Sequence, residues 1–304
     1  MSTLIEVEPS KVAELKARLQ TDLQLPEKYQ VLFSLRNVKG QDAQDALVEA
    51  LKDPSALFRH DVCFCLGQRQ DAAAVAVLSA KLRDTTEHSM VRHEAGEALG
   101  AIGTAACIAA LMEHADDAVL EVAETCQLAL QRMQYMKDHP DATNEESPYF
   151  SVDPTPALPT STPTEELRAS LLDENARMFD RYAALFALRN KGGPEAVKAL
   201  GDVFGARSAL LKHEVAYVLG QMQDPESTRY LVDVLADGRE HAMVRHEAAE
   251  ALGAIASDDT VVMLQRFACD DEPIVAHSCV VALDMLEHEK SGAAYFAGTA
   301  GHEA

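Results

Sequence analysis

The chain has 304 residues, 47% of them hydrophobic, which is material for two average domains or one elongated repeat array. Aromatics make up only 5% and tryptophan is absent, so base-stacking platforms for nucleic acid are excluded as a main theme. With 49 acidic against 27 basic residues the net charge is −22, which repels phosphate backbones and anionic membranes and favours a cationic partner.

The N-terminus, MSTLIE, lacks the basic-then-apolar order of a signal peptide, and no apolar run approaches the ~18 residues of a membrane span. The six cysteines are scattered without a C-x-x-C pair, which reads as the reduced thiols of a cytoplasmic protein. Through residues 1–137, Leu35, Leu66, Leu99 and Leu130 mark equivalent places, spaced 31, 33 and 31 residues apart. Between them apolar residues recur at helical spacing, as in Phe58, Val62 and Leu66. Asp53-Pro54 sits where a turn or helix start is expected, and Gly67 and Gly100 are read as helix C-caps. Residues 138–164 contain Pro140, Pro148, Pro154, Pro156, Pro159 and Pro163, which exclude a helix and predict a linker.

Residues 165–290 then repeat the first half. MVRHEAGEALGAIG at Met90–Gly103 returns as MVRHEAAEALGAIA at Met243–Ala256, identical at twelve of fourteen positions and displaced by 153 residues. The same displacement takes Leu35, Leu66, Leu99 and Leu130 onto Leu188, Leu219, Leu252 and Leu283, and Gly67 and Gly100 onto Gly220 and Gly253. Asp224-Pro225 and Glu272-Pro273 mark further turns, and the tail 291–304 is Gly/Ala-rich and predicted to fray. The expectation is an all-α chain of eight stacked helical hairpins in two pseudo-symmetric halves. Ankyrin and TPR signatures are missing, which leaves a short HEAT-like solenoid.

Four dipeptides carry the chemistry: His60-Asp61, His93-Glu94, His213-Glu214 and His246-Glu247, each seven residues before a repeat glycine. They occur in the second, third, sixth and seventh units. The outer units carry Tyr29-Gln30, Glu124-Thr125, Tyr182-Ala183 and His277-Ser278 instead, so the repeat fold does not demand the pairs. A single His-Glu pair would be read as a solvated helix start. Four in register, on helices stacked 8–10 Å apart, point to metal. If the linker folds the halves together, the four histidines and four acids converge on a dinuclear centre suited to Fe, Mn or Zn. A metal would also relieve the repulsion among the carboxylates. His88 and His241 repeat at the same displacement but fall in turns and are not read as ligands. His277 lacks a counterpart in the first half and is read as structural. Met90 and Met243 are candidates for an apolar wall beside the metals, and Cys63 and Cys65 are read as buried apolar residues.

These paired motifs, with Pro148–Pro154 (PYFSVDP) in the linker, resemble the deoxyhypusine hydroxylase family over roughly Tyr29 to Met285. The resemblance implies a cytoplasmic di-iron mono-oxygenase that uses O₂ to hydroxylate deoxyhypusine on a translation factor, the last step of hypusine formation. It places one Fe²⁺ on His60, His93 and Glu94 and the other on His213, His246 and Glu247, with Asp61 and Glu214 facing the substrate amine. Asp61 departs from the family's glutamate and is one methylene shorter. The alternatives are a metal-free HEAT scaffold for protein binding, an inactive paralogue, and a bilin lyase-like protein that takes an open-chain tetrapyrrole.

Overall fold

The computed structural model describes residues 4–140 and 147–291. The tail predicted to fray lies outside the described residues from 292 onward, as does the linker stretch 141–146. Among the described residues there are sixteen α-helices. Extended pairing among the described residues is limited to an isolated parallel bridge between Ile5 and Val38. Two compact units result among the described residues, one reaching Ala129 and including His288–Ser291, the other Leu130–Glu287.

In the first unit the helices are α1 (Pro9–Leu19), α2 (Leu25–Asn37), α3 (Gln41–Ala50), α4 (Ala56–Arg69), α5 (Val75–Arg83), α6 (Ser89–Ile102) and α7 (Ile108–Glu113). Helix α8 (Leu120–Asp138) runs across the boundary. The second unit continues with α9 (Thr164–Leu172), α10 (Met178–Lys191), α11 (Gly193–Gly201), α12 (Ala209–Met222), α13 (Thr228–Ala236), α14 (Ala242–Ile255) and α15 (Val261–Phe267), and α16 (Pro273–Ser291) runs across the boundary at His288. Odd- and even-numbered helices alternate as the two arms of eight HEAT-like hairpins. The even-numbered arms carry the repeat leucines and pack on one another in turn, α2 on α4, α4 on α6 and α12 on α14.

Local chemistry starts and stops these helices. Ser55 Oγ accepts the Phe58 N–H to cap α4, and Ser208 Oγ accepts from Leu211 to cap α12. His88 and His241, read as turn residues, prove to be N-caps: their Nδ1 atoms accept the N–H groups of Met90 and Met243. Asp224 caps a single 3-10 turn, and Pro273 opens α16.

The repeat glycines correct the reading as C-caps. Gly67, Gly100, Gly220 and Gly253 lie inside their helices, and each helix runs on to a left-handed residue three places later: Gln70, Gly103, Gln223 and Ala256. Their role is close approach. A Cβ at Gly100 would lie 2.6 Å from Ala129 Cβ, and one at Gly67 would lie 2.7 Å from Ala98 Cα. Atoms of neighbouring even-numbered helices fill the space a side chain would need. Gly100→Ala should therefore destabilise the fold by roughly 1–3 kcal/mol in a urea titration, although alanine is the better helix former by ~1 kcal/mol. Gly96 supplies the control, because a Cβ there meets its nearest neighbours at an ordinary 3.4 Å and Ala249 occupies the equivalent place in the second half. Gly96→Ala should be neutral or stabilising, and equal losses at both positions would rule out close approach as the cause.

The residue before each histidine is basic and is tied to an acid in the turn between the two helices of the next hairpin. Arg59 pairs with Glu87, Arg92 with Asp117, Lys212 with Glu240 and Arg245 with Asp270, at 2.5–2.6 Å. Burial opposes ionisation of Glu87, but Arg59, Lys81 and the His88 N–H outweigh it and hold its carboxyl down at about 2. Arg92 Nε and Arg245 Nε also donate to the carbonyl oxygens of Leu82 and Leu235, which terminates the preceding helix. These ties fix the rotation of α4, α6, α12 and α14 about their axes, and so fix where the next residue in sequence, the histidine, points.

Part of the predicted linker is anchored rather than loose. Within the second unit the Arg189 side chain is fully buried and donates to both carboxylate oxygens of Asp153, at 2.9 and 2.6 Å, and to Ser147 and Ser151. Its guanidinium lies 4.8 Å from the ring of Tyr149 and 4.8 Å from that of Phe186.

Candidate metal centre

Helices α4 and α6 bring His60-Asp61 and His93-Glu94 together in the first unit. All four side chains are buried, His93 completely. His60 Nε2 lies 3.4 Å from Glu94 Oε2, and His93 Nε2 lies 3.8 Å from the same oxygen. The two imidazoles stand 5.5 Å apart, and potential ligand atoms of His60, His93 and Glu94 all fall within 4.8 Å of one another.

Helices α12 and α14 reproduce the arrangement in the second unit. His213 Nε2 is 3.3 Å from Glu247 Oε2, His246 Nε2 is 3.9 Å from it, and the rings are 5.3 Å apart. His213, Glu214, His246 and Glu247 are all buried.

In each set two imidazole Nε2 atoms lie 3.3–3.9 Å from one carboxylate oxygen. Metal–ligand bonds of roughly 2.0–2.2 Å at tetrahedral to octahedral angles separate neighbouring ligand atoms by about 3–3.5 Å. The observed separations approach this, so the residues fit a small divalent ion. The donor set, neutral nitrogen plus carboxylate without thiolate, suits iron among other first-row metals. The nearest thiols do not compete. Cys63 and Cys65 are buried and free, as read from the sequence, and burial pushes Cys65 up to about 12.

The carboxylates dominate the local field. Burial alone would lower the His60 pKa, but hydrogen bonds and charge from Asp61 and Glu94 outweigh it and raise it well above the ordinary histidine value.

Residues the sequence assigns to the outer units turn out to back the inner ones. Thr125 Oγ1 sits 3.5 Å from His93 Nδ1, and Ser278 Oγ sits 3.3 Å from His246 Nδ1. Ser278 also donates to Glu250, whose carboxylate is 3.6 Å from His246 Nδ1. Contacts at the far nitrogen orient a ligating imidazole and favour the tautomer that presents Nε2. Tyr29, from the first unit of the repeat, donates its phenol to Asp61 Oδ2. The available signal for all three was register: Tyr29, Thr125 and Ser278 lie at or beside the places where inner units carry their pairs. Met90 and Met243 are buried among the core residues, and His277 is half-buried on α16.

The similarity to known proteins is extensive. Residues 44–131 match the HEAT repeats family, and residues 244–268 match the PBS lyase HEAT-like repeat. Deoxyhypusine hydroxylase of Danio rerio is 50% identical over 277 residues, 90% of each chain. The Homo sapiens enzyme is 47% identical over 278 residues, again 90% of each chain. The solved structure of human deoxyhypusine hydroxylase in complex with glycerol is similar with a TM-score of 0.89 at 45% identity, covering 92% of this chain and 96% of that one. No helix among the described residues is long and apolar enough to cross a membrane. Identity at this level along almost the whole length, on HEAT-like hairpins whose inner arms carry four histidine–acid pairs, makes the chain a member of the deoxyhypusine hydroxylase family of enzymes.

Proposed function

We propose that the protein hydroxylates a deoxyhypusine side chain on a translation factor, the last step of hypusine formation, as an iron- and O₂-dependent mono-oxygenase of the cytoplasm. The observation that carries this is the repeated ligand set. His60, His93 and Glu94 would hold one iron, and His213, His246 and Glu247 the other. When bound, the irons would activate O₂ so that one oxygen atom enters a C–H bond while the other leaves as water, with two electrons and two protons drawn from an external reductant. Segments 1–137 and 165–290, joined by residues 138–164, then each carry one of the two duplicated ligand sets.

The chain's own residues supply the rest. Two histidines and one carboxylate per ion leave coordination positions open. Burial of all eight paired side chains excludes bulk water and strengthens the electrostatic interactions among them. Glu214 and Asp61 are the paired carboxylates outside the two ligand sets; Glu214 is assigned to the substrate's ammonium groups, and Asp61, already held by Tyr29 and His60, is the weaker contact to them. The −22 charge favours approach of a basic partner. The six free cysteines support a reducing compartment.

Iron quantification on freshly purified protein, together with mass spectrometry of the deoxyhypusine-bearing substrate, tests the reading. A gain of one oxygen atom that requires O₂ and iron is the expected result; a protein that binds no iron would overturn it. Glu214 gives the sharper test of substrate binding. A charged hydrogen bond to an ammonium contributes ~1.5–3 kcal/mol, so Glu214→Ala should weaken partner binding roughly ten- to a hundredfold with iron content near normal. Loss of iron in that variant would make Glu214 a ligand and the assignment of the carboxylates wrong.

A further inference from the structure

Tyr29 is buried to 1% exposure and packs edge-on against Phe33 and Phe58, with ring centroids 5.9 and 5.6 Å away. A phenol buried among aromatic rings needs an acceptor, and its partner is Asp61 Oδ2. The other oxygen, Asp61 Oδ1, lies 3.3 Å from His60 Nδ1. His60 Nε2 faces Glu94 Oε2. A continuous path thus runs from the phenol through the short carboxylate to an imidazole of the metal site.

The duplication supplies an internal comparison. Tyr182 stands at the equivalent place in the second half, and its phenol donates to the Leu210 carbonyl oxygen at 3.3 Å. There the paired acid is Glu214, one methylene longer. A phenol has one proton to donate, and the two halves spend it on different acceptors.

We propose that Tyr29 is a positioning residue of the hydroxylase site: by holding Asp61 Oδ2 it turns Oδ1 onto His60 Nδ1 and so fixes that imidazole with Nε2 toward Glu94. The physical need is plain. His60 and Asp61 are adjacent on a helix, so their side chains leave the axis about 100° apart and do not face each other by default. A third group must turn the carboxylate back toward the ring. Carboxylate contacts of this kind, behind a metal-bound histidine, contribute roughly ten- to a hundredfold in metal affinity. Tyr29 also gives the shorter Asp61 a defined place that its reach alone would not. The inference rests on the proposed metal ligation by His60, His93 and Glu94.

The experiment compares iron release from the full-length, iron-loaded chain to a ferrous chelator in Tyr29→Phe, Tyr182→Phe, Asp61→Glu and the double variant Tyr29→Phe/Asp61→Glu. Tyr29→Phe should release the iron of its half roughly ten- to a hundredfold faster, and Tyr182→Phe should match the wild type. Asp61→Glu recreates the acid of the second half, so the Tyr29→Phe change should lose most of its effect in that background. Asp61→Asn, which keeps the shape, gives a second route to the same loss should Tyr29→Phe prove poorly folded. Equal release from Tyr29→Phe and wild type, equal losses in both tyrosine variants, or an undiminished loss in the Asp61→Glu background would each overturn the proposal. A wild-type chain that takes up no iron would instead overturn the metal ligation on which it rests.

Discussion

His93→Ala is expected to hold about one iron per chain where the wild type holds about two, and to lose hydroxylation entirely. His93 is fully buried, is backed by Thr125 and faces the same Glu94 oxygen as His60. With only two histidines and one carboxylate per ion, removal of one imidazole takes a third of the protein ligands. It also leaves Glu94 a buried carboxylate with one imidazole partner fewer. His246→Ala should do the same to the second set. His277→Ala is the control: His277 shares α16 with Ser278 but belongs to neither proposed ligand set, so the iron content of this variant should equal that of the wild type. Since metal binds the folded chain alone, chelation should lower the thermal midpoint of the wild type more than that of His93→Ala. Full iron retention in His93→Ala would show the ligand set to be wrong.

The second large effect is expected at Arg189. Its buried guanidinium satisfies Asp153, Ser147, Ser151 and Gln221 and lies against two aromatic rings. Removing one partner of a buried ion pair leaves the other uncompensated and costs about 3–5 kcal/mol. Arg189→Ala should therefore shift the urea midpoint strongly and release the 147–153 segment to proteolysis. Asp153→Asn should cost less, because Asp153 reaches solvent (16% exposed) while Arg189 does not (0%), and an amide oxygen still accepts from Arg189. A change under about 1 kcal/mol in Arg189→Ala would mean that the cluster behaves as a surface pair.

The histidines and Arg189 differ in how legible they were along the chain. The histidine–acid pairs were visible because duplication writes them at a fixed displacement, and because the absence of the full pair from the outer units, even where His277 keeps the histidine, separates function from repeat architecture. Arg189 was not visible. Nothing local distinguishes Asp153 from the other acids of a linker rich in them, and the pair is 36 residues apart in sequence. The linker could be recognised from its prolines, but its anchoring depends on which helix surface it meets. Tyr29, Thr125 and Ser278 fall between these cases. Their register was legible; their contacts depend on the packing of one hairpin against the next.

The repeat glycines show the same division. Periodicity located them correctly, and a glycine near the end of an apolar run suggests a C-cap by local rules alone. The structure gives them a different cause, because the constraint is the distance between two helices and helix spacing is not a property of either helix taken singly. By itself, then, the sequence determined the all-α class, the eight units, the duplication and the four paired positions, since each is a matter of period and displacement along one chain. Tertiary structure decided which glycines relieve contact, which acid is held by a phenol, and which arginine pins the linker. Those depend on side-chain direction and on atoms brought together from separate repeats, where a shift of about one ångström separates a hydrogen bond from no interaction at all.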